Sequence, residues 1–505
     1  LYSVVAGRSS MGATAGCILL LAALAAHAAA AGKMKEEVVV ELPFGSSGFC
    51  IRLLNATHQF GCGSSMNGDE GVIVVARTKI DVMGAENGWK ERFPDYSGGF
   101  VVIMDELLLD GDAASLLHSS DRIAGVLLMP VKEGEAASDN TPLSSEPVCP
   151  NQHSSLYSDW RACGSSKEKQ WNDNGAIVEQ GMRFIDWPFP ITRVLNGSSL
   201  EMMIKCHDAY NLPNARKDGR LCAVGNVKTF MHASGSSTVC VRRQTPKWYD
   251  EWIAPITKAL CEPLSDYSLH AILPSGGKSE KGGSYLAVIA KMDSVSLLPD
   301  ATPATYSTMT SIVAALTAAK VIGDNLEKFE GASKRSDKRI IFAFLHGESF
   351  DYLGSSRWVY DMEQGAFPKR KSEKSSDEVL EPILLEKIAL AVELQQLDGS
   401  GMLHAHVDGK NYDADKKGTV LPPSSLHSIL KRNRQTPSVL LTSFDDQYSN
   451  PRFHSAFDRL TGGKEEEERL NKSLAAVARG VVALMADHVG IDEETQKTID
   501  IDQRW

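Results

Sequence analysis

The sequence predicts an α/β protein, a mixed sheet flanked by helices, joined to a smaller disulfide-rich α+β lobe. Three observations carry this. Apolar runs of strand length alternate with helical periodicity from about residue 266 to 490. All cysteines except Cys17 lie between residues 50 and 261, in the first half of the mature chain. At 505 residues the chain is too long for one ordinary core.

The C-terminal half is expected to alternate strands with helices. Residues 286–290 and 339–345 read as buried strands, with a helix over 309–326 between them whose Ile312, Ala315, Leu316 and Ala319 share a face. A helix is expected over 354–362, strands at 388–394 and 438–441, and an amphipathic helix over 470–488. This is the layering of an α/β sheet, whose ligands bind beyond the carboxyl ends of the strands. In the first half, 72–76, 100–104 and 123–128 read as strands and 113–118 as helical. The basic stretch 369–374 and the charge run 465–469 read as solvated surface or loop. The expected division is a signal peptide over 1–32, a small lobe with a lid loop over 33–265, and a large lobe over 266–505 that is incomplete at its C-terminus.

Composition is that of a globular protein, 43% hydrophobic and 23% charged, and a net charge of −11 excludes nucleic acid as a partner. The apolar stretch 15–26, followed by small residues, has the pattern of a secretory leader and is short for a membrane span. Eight cysteines remain beyond it: Cys50, Cys62, Cys149, Cys163, Cys206, Cys222, Cys240 and Cys261. An even number in a secreted chain points to disulfides. About 105 pairings are open, and pairing of neighbours is the simplest. Asn55, Asn196 and Asn471 head glycosylation triplets. Cys-x2-Cys spacing is absent, and so is a Gly-x-Ser-x-Gly nucleophile elbow beside a plausible triad.

One segment resembles an active site. The strand at 339–345 runs into His346-Gly347-Glu348-Ser349-Phe350. It is similar to a stretch of the co-catalytic zinc aminopeptidases in which one Glu is the general base and the next ligates zinc. On that resemblance Glu348 takes the place of the base and Ser349 that of a ligand. Asp293 survives from a His-x-Asp pair whose histidine is replaced by Lys291, a cation that would repel a metal and could pair with Asp293. Tyr306 and Gln395 stand where carboxylates are expected, and His454 where a last histidine ligand belongs. One histidine and one Asp do not make a dizinc site. No metal or cofactor is therefore expected. Glu348 also suits a helix N-terminus on charge grounds alone.

The continuation Asp351-Tyr352-Leu353-Gly354-Ser355-Ser356-Arg357 resembles the Asp-Tyr-Ile-Gly-Ser signature of the nicastrin family. Further matches are 261–267, 359–362 and 421–426. The resemblance implies an aminopeptidase-like (phosphorylase/hydrolase-type) large lobe without peptidase activity, in the glycosylated ectodomain subunit of the γ-secretase complex. Its implied partners are presenilin, the Aph and Pen subunits, and membrane-protein substrates already shed of their ectodomains. It also implies substrate-binding roles for Glu348 and Tyr352, a lid over the pocket formed by the loop around Cys149 to Cys163 with Trp160, and disulfides Cys50–Cys62, Cys149–Cys163, Cys206–Cys222 and Cys240–Cys261. The family is single-pass, from endoplasmic reticulum through Golgi to endosomes and plasma membrane, so its membrane span is expected beyond Trp505. Two other readings stay open at this point: an active secreted zinc aminopeptidase, and a free-standing pseudo-peptidase binding module.

Overall fold

A computed structural model describes residues 48–499, apart from 55–58, 66–67, 85–87, 132–142, 158–170, 174, 176–180, 215–219, 228–237, 240–264, 275–282, 300–301, 369–380 and 410–419. The leader, Asn55, Trp160, Cys163, Cys240, Cys261 and the basic stretch 369–374 lie outside the described residues.

The N-terminal half carries β1 (Gly48–Phe49), β2 (Arg52–Leu54), β3 (Gln59–Cys62), β4 (Asp69–Ala76), β5 (Gly99–Asp105), β6 (Ile123–Met129), β7 (Asp186–Trp187), β8 (Ile191–Arg193) and β9 (Ala223–Val227). One sheet runs β1-β8-β6-β5-β4-β9; its four inner strands are parallel and both edges antiparallel. β2, β3 and β7 form a small separate sheet. The C-terminal half carries β10 (Leu269–Leu273), β11 (Ser284–Lys291), β12 (Lys338–Leu345), β13 (Ile388–Leu394), β14 (His404–His406) and β15 (Ser438–Thr442). Their order is β10-β12-β11-β13-β15-β14, again four parallel strands between antiparallel edges.

The apolar runs are continuous because helices cover both faces of each sheet. Successive side chains of a strand point to opposite faces. Leu286, Val288, Ala290, Ile340 and Phe342 thus join the core that contains helices Thr310–Asp324 and Gly463–Val489. Tyr285, Ala287, Ile289, Ile341 and Ala343 meet helices Leu353–Glu363 and Leu426–Arg432 on the other side. In the N-terminal sheet, Val72, Phe100, Val102 and Val126 pack with helix Gly111–Ser119 and with Trp89 and Phe93. Ile73, Val101, Ile103 and Leu127 pack with Met203 of helix Gly197–Tyr210. Each of the buried Val, Leu, Ile, Phe and Met side chains contributes about 1.5–3 kcal/mol of burial.

Two expectations change. The last long helix, Gly463–Val489, begins at Gly463, not 470, so the charge run 465–469 forms its opening turns. Glu465 and Glu466 sit where the helix dipole favours negative charge. The expected helix over 309–326 is three pieces: a π-helical stretch Thr305–Met309, the helix Thr310–Asp324, and a further helix Leu326–Ser336. Cys50–Cys62 and Cys206–Cys222 are bonded, and Cys149 is also disulfide-bonded.

Candidate functional site

β11, β12 and β13 run parallel, so their carboxyl ends open on one place. Lys291 ends β11 and Asp293 follows it; Glu348 lies just past β12; Glu393 sits in β13 with Gln395 beyond its end. All are at most 6% exposed.

Asp293 builds the turn after β12. Its Oδ1 accepts the N–H of Gly347 and of Glu348, both at 2.9 Å, and its Oδ2 that of Ser349 at 2.8 Å. Burial pushes the Asp293 carboxyl up, but the Lys291 charge and these donors bring it below the usual carboxylate range. Gly347 takes φ +90, where a side chain is strained.

Glu348 does act at a helix N-terminus. Its Oε1 accepts the Ser355 N–H at 2.5 Å and its Oε2 the Ser355 hydroxyl at 2.8 Å, closing one open donor of helix Leu353–Glu363. A Cβ on Gly354 would stand 2.2 Å from His346 O and 2.7 Å from Glu348 Oε1, so glycine is required there. Burial raises Glu348 to about 7, and the nearby Asp293 charge adds to it. Glu393 is raised to about 8, again by burial first, with Glu348's charge adding. Its oxygens accept the N–H groups of Ser425 and Leu426, both at 3.2 Å. Tyr352 precedes the helix at φ 58 and stacks on His427, ring centroids 5.6 Å apart and planes within 3°.

The expected pairing of Lys291 with Asp293 is not formed. Asp293 is filled by backbone donors, and the Lys291 ammonium meets His454 Nε2 at 2.9 Å. An ammonium only donates, so Nε2 accepts and the imidazole proton sits on Nδ1, which donates to Glu146 Oε1 at 3.0 Å. Burial and the Lys291 charge hold His454 down to about 4, keeping it neutral. Glu146 pairs with Arg183 Nε at 2.6 Å. Burial pushes Glu146 up, but Arg183 and His454 outweigh it and lower it to about 2. Arg183 Nη2 donates to Ser349 O at 2.5 Å.

The remaining ligand positions are occupied by groups turned to other work. The Tyr306 hydroxyl donates to Glu466, on the last long helix, and the Tyr306 N–H to Asp458 Oδ1 at 2.9 Å. Ser349 spends its N–H on Asp293. A zinc pair does not fit this donor set: the imidazole lone pair faces an ammonium, and the surviving Asp faces three N–H groups.

A cavity of about 20 Å³ remains, lined by Glu348, Tyr352, Glu393, Gln395 and Ser424 among others. Gln395 Oε1 and Ser424 Oγ have no hydrogen-bond partner among the described residues. Its outer wall includes Glu146, Pro150 and Asn151, from the N-terminal half. Asn151 donates to Glu348 O at 2.7 Å and accepts the Asp351 N–H at 3.2 Å. Leu156 N–H donates to His427 Nδ1 at 2.8 Å, and the Tyr157 hydroxyl to Asp408 at 3.0 Å. Residues 143–157 thus form a strap across the pocket. Asn151 falls in the loop expected as a lid, but sequence reading missed Glu146 and Arg183, which lie more than 100 residues from His454 and Ser349, their partners in the C-terminal half, and carry no local pattern. Asn196 caps helix Gly197–Tyr210 through Oδ1, and Asn471 is exposed on the last long helix.

Fold and site together define an α/β protein of two six-stranded sheets, with a buried lysine in the pocket at the carboxyl ends of the second. Residues 49–233 match the family model described as the nicastrin small lobe, and 284–420 and 403–488 match the nicastrin large lobe. The chain belongs to the nicastrin family. It is 28% identical to the Caenorhabditis elegans nicastrin over 91% of this chain and 68% of that one. It is 28% identical to the Homo sapiens nicastrin over 84% of this chain and 60% of that one. The chain thus spans about two thirds or less of these relatives. A crystal structure titled as the gamma-secretase component nicastrin superposes with a TM-score of 0.61 at 20% identity, covering 90% of this chain and 77% of that one.

Proposed function

We propose that this chain is the non-catalytic ectodomain part of a γ-secretase-type complex, serving substrate recognition or steric screening and complex assembly. Its partners in this reading are presenilin, the Aph and Pen subunits, and membrane-protein stubs left by ectodomain shedding. Family membership supports the complex. The pocket's chemistry supports the non-catalytic role, because the cation beside His454 is an ammonium that cannot activate a water as a metal does. Glu348 and Tyr352 are the substrate-facing groups, with the strap and Trp160 as lid. A free amino terminus suits the cavity: an ammonium donates three hydrogen bonds, and Glu348, Glu393, Gln395 Oε1 and Ser424 Oγ accept them. The site belongs on the luminal or extracellular side of secretory-pathway membranes, with carbohydrate on Asn55, Asn196 and Asn471. No described helix is long and apolar enough to cross a membrane.

The test is complementation of nicastrin-deficient cells with this protein. The reading expects presenilin to co-purify and substrate processing to return, with Glu348→Ala lowering substrate capture. Failure of the parent protein to associate with presenilin would refute it.

A further inference from the structure

We propose that Lys291 is a built-in replacement for a metal cation, and that the buried chain it organises through His454, Glu146 and Arg183 latches the 143–157 strap over the pocket. The argument begins with cost. An ammonium at the end of a central strand, 4% exposed, is expensive to bury unless its charge is answered. Burial holds the Lys291 ammonium below its ordinary range, and the charges of Asp293, Glu146, Glu393 and Asp458 act against that.

Direction follows from donor chemistry. Lys291 can only give a proton to His454 Nε2, so Nδ1 must carry the imidazole hydrogen and give it to Glu146. Glu146 then meets the Arg183 guanidinium, which reaches the Ser349 carbonyl. A metal orders a histidine in the same way, taking one nitrogen's lone pair and directing the other N–H at a carboxylate. The chain crosses between the two halves twice, from His454 to Glu146 and from Arg183 to Ser349. Glu146 and Arg183 come from the N-terminal half, Lys291, Ser349 and His454 from the C-terminal half, and the Ser145 hydroxyl donates to His454 O at 2.6 Å. Without the cation, the imidazole is free to turn and Glu146 loses its fixed donor. The Lys291 ammonium also lies 4.9 Å from the Phe453 ring, so its charge is satisfied from two sides.

The rival is that packing alone holds the strap and Lys291 merely fills space. Hydrogen exchange separates the two, read on the chain by itself and so independently of the complex proposed above. Lys291→Met keeps the length and removes the charge. Exchange at 144–151 and 181–184 should rise about tenfold or more, while β4 to β6 stay unchanged. Lys291→Arg should restore most of the protection. Lys291→Ala should be rescued by n-propylammonium and not by n-propanol, which has the shape without the charge. Protection in Lys291→Met equal to the parent, or rescue by the alcohol as good as by the amine, would overturn the proposal. Glu146→Gln, which cuts the chain while leaving Lys291 in place, guards against misfolding of the lysine variants. It should loosen the same segments, and an unaltered strap would also overturn the latch.

Discussion

The two six-stranded sheets share one plan, four parallel strands between antiparallel edges, and differ in what lies at their carboxyl ends. The N-terminal sheet ends chiefly in apolar packing, with one buried carboxylate among the described residues there, Glu106, paired to Arg193 at 2.6 Å. The C-terminal sheet gathers Lys291, Asp293, Glu348 and Glu393, all buried, and draws Glu146 and Arg183 from the other half. Buried charge gains little over well-packed apolar groups of similar volume. Its concentration at one of two equivalent places marks that place as kept for something besides stability.

Substitutions on the two sides should break in different ways. The largest effect belongs to the apolar side. Phe100, fully buried with Trp89, Phe93 and Tyr96 rings 5.6–5.8 Å away, should cost about 3–5 kcal/mol as Phe100→Ala in denaturant unfolding. A cost under about 1 kcal/mol would show that this sheet does not depend on its aromatic core. Next comes Asp293→Asn, which turns an amide N–H₂ toward N–H donors. A loss of about 3 kcal/mol is expected, with fast amide exchange confined to 347–349. Normal protection there would remove Asp293 as the builder of the turn.

Glu348→Gln should show in pH dependence. A carboxyl raised to about 7 binds its proton more tightly in the folded state than in the unfolded chain. Its stabilising effect is therefore complete below about pH 4.5 and is lost as pH rises through 7. The parent should lose stability between pH 5 and 8, by up to roughly 3 kcal/mol from this group, and Glu348→Gln should lose less. Parallel pH curves would mean that Glu348 is ordinary. The smallest effect is Ser355→Ala, about 1 kcal/mol, read as a small fall in Tm.

Most of the strand framework was legible in the sequence. β11, β12 and β13 are unbroken apolar runs, and the turn after β12 announced itself by Gly347, Glu348 and Gly354. The charge run 465–469 misled because polar residues on a first helical turn have the same composition as a loop. The pairing of Lys291 was misjudged because the nearest carboxylate in sequence, Asp293, was already taken by backbone donors. Glu146 and Arg183 were invisible, because their partners are set by tertiary approach and by no spacing along the chain.

Asp351 and Tyr352 both sit in the left-handed backbone region, at φ 55 and 58. Non-glycine residues pay for that conformation with about 1–3 kcal/mol each. Glycine would relieve it, so backbone comfort and side-chain identity pull against each other at Tyr352. A stabilised variant selected only for heat resistance should drift toward glycine there and lose the ring that stacks on His427. Keeping the tyrosine under such selection would require selecting for the pocket as well.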